Sequence, residues 1–272
     1  ANHITSLKGA SSIVPNFFMP DYGSRLTSAM YIRGIGSRIN TPAVGMYVDN
    51  IPYLDKSAFD FNFYDIERLD ILRGPQGTLY GRNTMGGLVK VHTRSPFSYQ
   101  GTDVKLSYGT KNNYRSASLT HYHRISERFA FSAGGYYEGS DGFFTNTFLN
   151  KKVDEMQAGG GRIRAIWFAS DDWKFDFNVS YDYTDEGGYP YYEVNFHEFS
   201  QKKEYDPIAY NRESSYRRSL LNTGLNIEHQ ADNFIFNAVT GFQHLNDRMF
   251  MDQDFSPLDT YTLEQKQRIN SI

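Results

Sequence analysis

The clearest pattern in the chain runs through residues 173–183. Trp173, Phe175, Phe177, Val179, Tyr181 and Tyr183 alternate with Lys174, Asp176, Asn178, Ser180 and Asp182. A period of two held over so long a run predicts one strand with an apolar and a polar face. Phe234, Phe236, Ala238, Thr240 and Phe242 repeat it, as do Leu221, Thr223, Leu225 and Ile227, and Phe129, Phe131, Ala133, Gly135 and Tyr137. Residues 114–124 are ambiguous between faces. Strands are expected near 102–109, 114–124, 127–139, 155–169, 173–185, 216–230 and 233–247, with an eighth from 262.

The connections alternate in length. Ile125-Ser126, Ser170-Asp171-Asp172 and residues 230–233 are tight turns, whereas residues 140–154, 186–215 and 248–261 are long; only residues 110–113 are short on that side. Short and long connections alternating by parity is the habit of an outer-membrane barrel, with short periplasmic turns and long external loops. A soluble sandwich has no reason for it. Phe129, Trp173 and Phe234 flank the short turns and would lie near the periplasmic interface.

The first third has another texture, of short strands joined by polar turns. Residues 30–35 and 43–50 read as strands. Residues 37–42 and 52–59 read as loops. Residues 65–96 then form strand, compact turn-rich knot and strand: Ile66, Leu69, Ile71 and Leu72 precede Arg73-Gly74-Pro75, glycines 77, 81, 86 and 87 fill the middle, and residues 88–93 alternate again. Gly-Pro stops regular structure and paired glycines permit close backbone approach.

The segment ERLDILRGPQGTLYGRNTMGGLVKVHTRSP resembles the end of the plug domain of TonB-dependent outer-membrane receptors. Tyr31-Ile32-Arg33-Gly34-Ile35-Gly36 and the run from Val44 to Pro52 are similar to earlier plug strands of that family. The resemblance covers residues 25–96; beyond Pro96 only pattern speaks. The expected fold is an α+β plug over residues 1–96, followed over 97–272 by the first seven or eight antiparallel strands of a transmembrane β-barrel. Resembling receptors have about 22 strands, and a barrel of about eight is filled by its own side chains. The chain is therefore expected to be a piece of a larger protein that lacks the start of the plug, the TonB-contacting segment and the later strands.

Composition agrees. Aromatic residues make up 16% of the 272 residues, with 21 Tyr and 21 Phe. A lipid-facing barrel rimmed by aromatic girdles accounts for that richness. Mean hydropathy is −0.58, and no run of about 18 apolar residues exists for a helical span. A net charge of −3 gives no support for nucleic-acid binding. Absent cysteine excludes a disulfide scaffold and a thiolate metal site. Gly34-Ile35-Gly36 lacks the third glycine of a dinucleotide fingerprint, residues 77–82 lack the Walker lysine, and no nucleophile elbow occurs, so no enzyme is expected. No cofactor or metal is expected either: His121 and His123 share a strand face and could touch one metal, but they read as solvated strand histidines.

The resemblance implies the remaining candidates. Arg33 and Arg73 each stand before a glycine, and in the family these motif arginines meet barrel glutamates that help latch the plug; those glutamates are expected beyond residue 272. A local pair with Glu67 or Asp70 is the plainer alternative. The loops at 37–42 and 52–59 correspond to plug apices that face outward, so Arg38, Asn40, Tyr53, Asp55 and Lys56 are candidate ligand contacts. The loop at 186–215 adds Tyr189, Tyr191 and Tyr192, with Phe196 and Phe199. The implied function is TonB-driven uptake of an iron–siderophore complex across the outer membrane of a Gram-negative bacterium, with TonB and membrane lipid as further partners. Cobalamin or haem is the alternative cargo. A passive porin and a soluble β-sandwich binding module are the readings from other classes.

Overall fold

The computed structural model describes residues 5–39, 41–192 and 206–272. The first third packs short elements. β1 (Phe17–Phe18), β2 (Tyr31–Ile32) and β3 (Ile35–Gly36) form one small sheet. Residues 30–35 do not make the single strand expected. Arg33 and Gly34 both take positive φ, 53° and 81°, which folds the chain into a two-residue hairpin between β2 and β3.

A second sheet holds β4 (Val44–Val48), β5 (Ile51–Tyr53), β6 (Ile66–Arg73) and β7 (Gly87–Thr93) in the order β5-β4-β7-β6. β4 and β7 pair in parallel; the other pairs are antiparallel. The helices are single turns, α1 (Leu7–Ala10) and α2 (Gly77–Tyr80), the second lying inside the glycine-rich knot. The core gathers Leu7, Ile32, Met46, Phe59, Val89 and Val91.

The rest is one antiparallel sheet. β8 (Gly101–Gly109), β9 (Tyr114–Ser126), β10 (Phe129–Ser140), β13 (Met156–Phe168), β14 (Trp173–Glu186), β15 (Ser215–Gln230), β16 (Ile235–Asp252) and β17 (Thr262–Ser271) follow each other in space in chain order. The loop after β10 carries its own hairpin, β11 (Thr145–Asn146) with β12 (Lys151–Lys152). Pro96 lies between β7 and β8.

The sheet's polarity is inverted relative to a soluble one. On β14, Asp176, Asn178, Ser180, Asp182 and Thr184 are buried, while Phe177, Tyr181 and Tyr183 are 44%, 47% and 43% exposed. β10, β13 and β15 alternate in the same way, but their buried face is mixed: Ser132, Glu138, Arg162, Arg218 and Asn222 share it with Ala130, Tyr136, Ile166 and Leu220. β9, whose phase the sequence left open, turns Thr120 and Tyr122 inward and Leu119, His121 and His123 outward. Tyr122 is drawn in by the ring of Tyr99, 5.2 Å away. The polar face is buried because the plug lies against it: Leu220 and Leu245 of the wall join the plug's own core cluster.

Next to the short turns, outward aromatics make a continuous row. Trp167 stacks on Phe175 at 5.5 Å, Phe175 on Trp173 at 6.0 Å and Trp173 on His229 at 4.2 Å. The His121 and His123 rings stack at 5.8 Å beside Phe131. Among the described residues no cluster of three or more histidine or acidic side chains is placed to hold a metal.

Candidate functional site

Two groups of polar residues stand out, one seating the plug and one at its apex. In the seat, Arg162 of β13 gives Asp65 a 2.7 Å ion pair, with both side chains buried. Arg164, two residues on and therefore on the same face, binds Asp176 at 2.7 Å and Asp49 at 3.4 Å, and donates to the Thr93 hydroxyl at 2.9 Å. Asp49 in turn accepts from Thr93 Oγ1 at 2.6 Å. These bonds fix the β4–β5 turn and the end of β7 toward the short-turn end of the wall. At the other end Arg25 of the plug pairs with Glu138 at 2.9 Å and Glu186 at 3.6 Å. Arg218 of β15 donates to the carbonyls of Ser57 and Asp60. Burial opposes the charge on Asp60, but Arg25, Lys8 and Arg218 outweigh it and hold the carboxyl below its ordinary value. Arg25, Asp60, Glu138 and Glu186 also line a cavity of about 670 Å³ between plug and wall.

Arg33 and Arg73, the expected latch, are both exposed. Arg73 reaches the carbonyl of Pro15 at 3.4 Å, and neither arginine forms an ion pair among the described residues. The local alternative does not form: Asp70 is taken by Arg68 and His92. The buried ion pairs between plug and wall among the described residues belong to Arg25, Arg162 and Arg164. Sequence reading missed all three, with Asp49, Asp60, Asp65, Glu138 and Arg218. The available signal was that Glu138, Arg162, Arg164 and Arg218 fall on the polar phase of their strands; nothing local names their partners.

At the apex, the Arg38 guanidinium lies 4.4 Å over the ring of Tyr22. The Tyr191 hydroxyl donates to the Tyr22 carbonyl, and its ring meets Phe255 at 5.4 Å. Lys56 donates to the carbonyl of Arg38; burial, and Arg38 after it, push its ammonium below the ordinary value against the pull of Asp55. Asp55 caps the following 3₁₀ turn by accepting from Ser57 N at 2.8 Å. Arg38, Lys56 and Tyr191 are thus brought together at the end of the wall that carries the long connections.

The structure corrects one apical candidate. Tyr53 is 6% exposed and packs on Phe61 at 5.7 Å. It follows Pro52 on β5, where its side chain turns inward to the core, so it is no surface contact. Tyr189 is also buried, edge-on to Tyr191 at 6.0 Å. Tyr192 packs against Val153, Ile208 and Tyr210. Asn40, Phe196 and Phe199 lie outside the described residues. Tyr22, which sequence reading did not single out, is the ring on which the apex is built.

A plug seated by buried charges on the polar face of an inside-out sheet narrows the families to those with plugged barrels. The family model for the TonB-dependent receptor plug domain matches residues 1–88. This chain carries a TonB-dependent receptor plug followed by barrel strands of that fold. The pesticin receptor of Yersinia pestis is 30% identical over 115 residues, which are 42% of this chain and 17% of that protein. The ferrioxamine B receptor of Salmonella typhimurium is 30% identical over 150 residues, 52% of this chain and 20% of that protein. The crystal structure of the ferric yersiniabactin uptake receptor from Yersinia pestis superposes with a TM-score of 0.82 at 20% identity, covering 99% of this chain and 42% of that one. The chain thus spans about a fifth of the length of the curated relatives it matches.

Proposed function

We propose that this chain is part of an outer-membrane receptor of a Gram-negative bacterium that takes up a ferric siderophore, driven by the TonB complex. One observation carries the reading: a plug held by buried ion pairs against strands whose opposite face is apolar. A soluble β-sandwich binding module would bury its apolar face, and a passive porin has no use for a seated plug. The division at Pro96 into plug and wall, the outward direction of the long connections and the membrane lipid against the aromatic face belong to the same proposal. So does the assignment of Arg38, Asp55, Lys56, Tyr191 and Tyr192 to the ligand side.

The seat suits the task. Charge-assisted bonds are short and directional, and a pull that separates Arg162 from Asp65 exposes two buried charges at once, so the plug yields abruptly. The test is growth of a deletion strain on a panel of iron sources. Lost growth on one or more ferric siderophores, restored by the intact gene, is expected. Unchanged growth on all of them, with failure on cobalamin or haem, would transfer the reading to that cargo.

A further inference from the structure

We infer that the apex selects an aromatic, anionic ferric chelate, of phenolate or catecholate type, over a neutral ferric hydroxamate. The inference rests on the receptor reading above and names the ligand class of the same site.

The first observation is the stacked pair. Arg38 is exposed, its guanidinium 4.4 Å above the Tyr22 ring. Among the described residues no carboxylate comes within ion-pair distance of it; Asp21, the nearest acid in sequence to Tyr22, is paired with Lys8 at 3.1 Å. A guanidinium laid flat on a ring keeps its N–H edge free and is more weakly hydrated than an ammonium. It is therefore ready to bind an anion along its edge. Lys56, hydrogen-bonded to the Arg38 carbonyl, puts a second cation beside it.

The second observation is the number of rings around that pair. Tyr191 is tied to Tyr22 and stacked edge-on with Phe255 at 5.4 Å. On the other side, Phe18 meets Tyr31 at 6.4 Å. A cavity of about 630 Å³ opens there, walled by Phe17, Phe18, Tyr22 and Tyr31. Among the described residues, the one charged residue of its wall is Arg33, again a cation. Aromatic faces gain from offset or edge contacts with other rings, and a ring bearing negative charge gains further from the neighbouring guanidinium. A ferric tris-hydroxamate has neither rings nor net negative charge, so it uses neither feature.

The experiment is calorimetric titration of the intact receptor in detergent with three probes: a ferric tris-catecholate, a ferric phenolate chelate and a ferric tris-hydroxamate. Retained heat-modifiable mobility on gels shows that each variant is folded. At least one aromatic chelate should bind at least tenfold more tightly than the hydroxamate. Arg38→Gln and Tyr22→Leu should each weaken that chelate about tenfold and leave hydroxamate binding unchanged. Equal or tighter hydroxamate binding, or no effect of either substitution on the aromatic chelate, overturns the ligand class while the receptor reading stands. Absence of binding by all three chelates to the folded wild type overturns both.

Discussion

Ile51 of the plug occupies the space that Gly224 leaves open in the wall. Ile51 is 4% exposed, and a Cβ built on Gly224 would overlap its Cγ1. Gly241, the register partner of Gly224 on β16, closes the other side, with its own Cβ position 2.8 Å from Ile51 Cγ2. The knob is aimed by the turn before it, where Asp49 and Asn50 take φ of 48° and 68°, the backbone of a two-residue hairpin. Gly224→Ala should therefore lift the plug from the wall, at the cost of about 1–3 kcal/mol usual for overpacking. Hydrogen exchange over residues 44–53 should accelerate, and Ile51→Ala in the same molecule should restore the wild-type rate. Failure of that rescue would show that Gly224 serves the strand and not the seat.

Removing one partner of a buried ion pair strands the other, at about 3–5 kcal/mol. Arg162→Ala or Asp65→Ala should thus loosen the plug and speed exchange at residues 87–93 without weakening surface binding of the ligand. Arg38→Ala should do the reverse. If Arg162→Ala leaves exchange at the wild-type rate, Arg162 and Asp65 are neighbours and not a fastening.

Phe177 tests the face assignment. It is 44% exposed on the outward phase of β14, so Phe177→Arg should cost about 2–4 kcal/mol in a bilayer folding titration. Asn178→Arg offers no cheap control, as an open lumen would have allowed: Asn178 is 8% exposed between wall and plug, so the larger charge has no room. Tyr183→Arg, near the end of the same face, is the better comparison and should cost less than Phe177→Arg. Equal costs would reject a membrane face graded by depth.

Orientation is checked by labelling. Leu258, 66% exposed in the loop between β16 and β17, should react as cysteine with an impermeant reagent on intact cells. Asp172→Cys, in the turn between β13 and β14, should react after the outer membrane is permeabilised. The opposite pattern would invert the molecule.

The charges around Asp60 make a pH prediction. Its carboxyl is held below the ordinary value by Arg25, Lys8 and Arg218 against the opposing effect of burial. A depressed folded value means the stabilisation is complete above the unfolded value of about 3.9 and is lost as pH falls through the folded one. The share of plug stability that Asp60 carries should be present from pH 7 to 5 and be lost below about 4, read as a rise in plug exchange corrected for its intrinsic pH dependence. Asp60→Asn should remove part of that rise. Loosening that is complete before pH 5 would belong to some other group.

The alternation through β14, β15 and β10, the parity of the connections and the glycine-rich knot after β6 were all legible in the chain. Each is a local matter: side chains on a strand point to opposite faces, and a tight turn needs glycine or proline. These are enough for an apolar-out wall preceded by a small packed element; that the element is a plug follows from its resemblance to TonB-dependent receptors. The sequence did not reveal the fastenings. Arg162 meets Asp65, Arg25 meets Glu138 and Ile51 meets Gly224 across more than 90 residues in each case, and no period or spacing links such pairs. The face of β9 was undecided for the same reason, since Ser116, Ser118 and Thr120 suit either side until Tyr122 packs on Tyr99. Tyr53 shows the opposite failure: in sequence it belongs to a polar loop, and only the folding of β5 onto β4 turns its ring into the core. Local pattern determines which way a side chain faces; what it faces is decided when two distant elements close on each other.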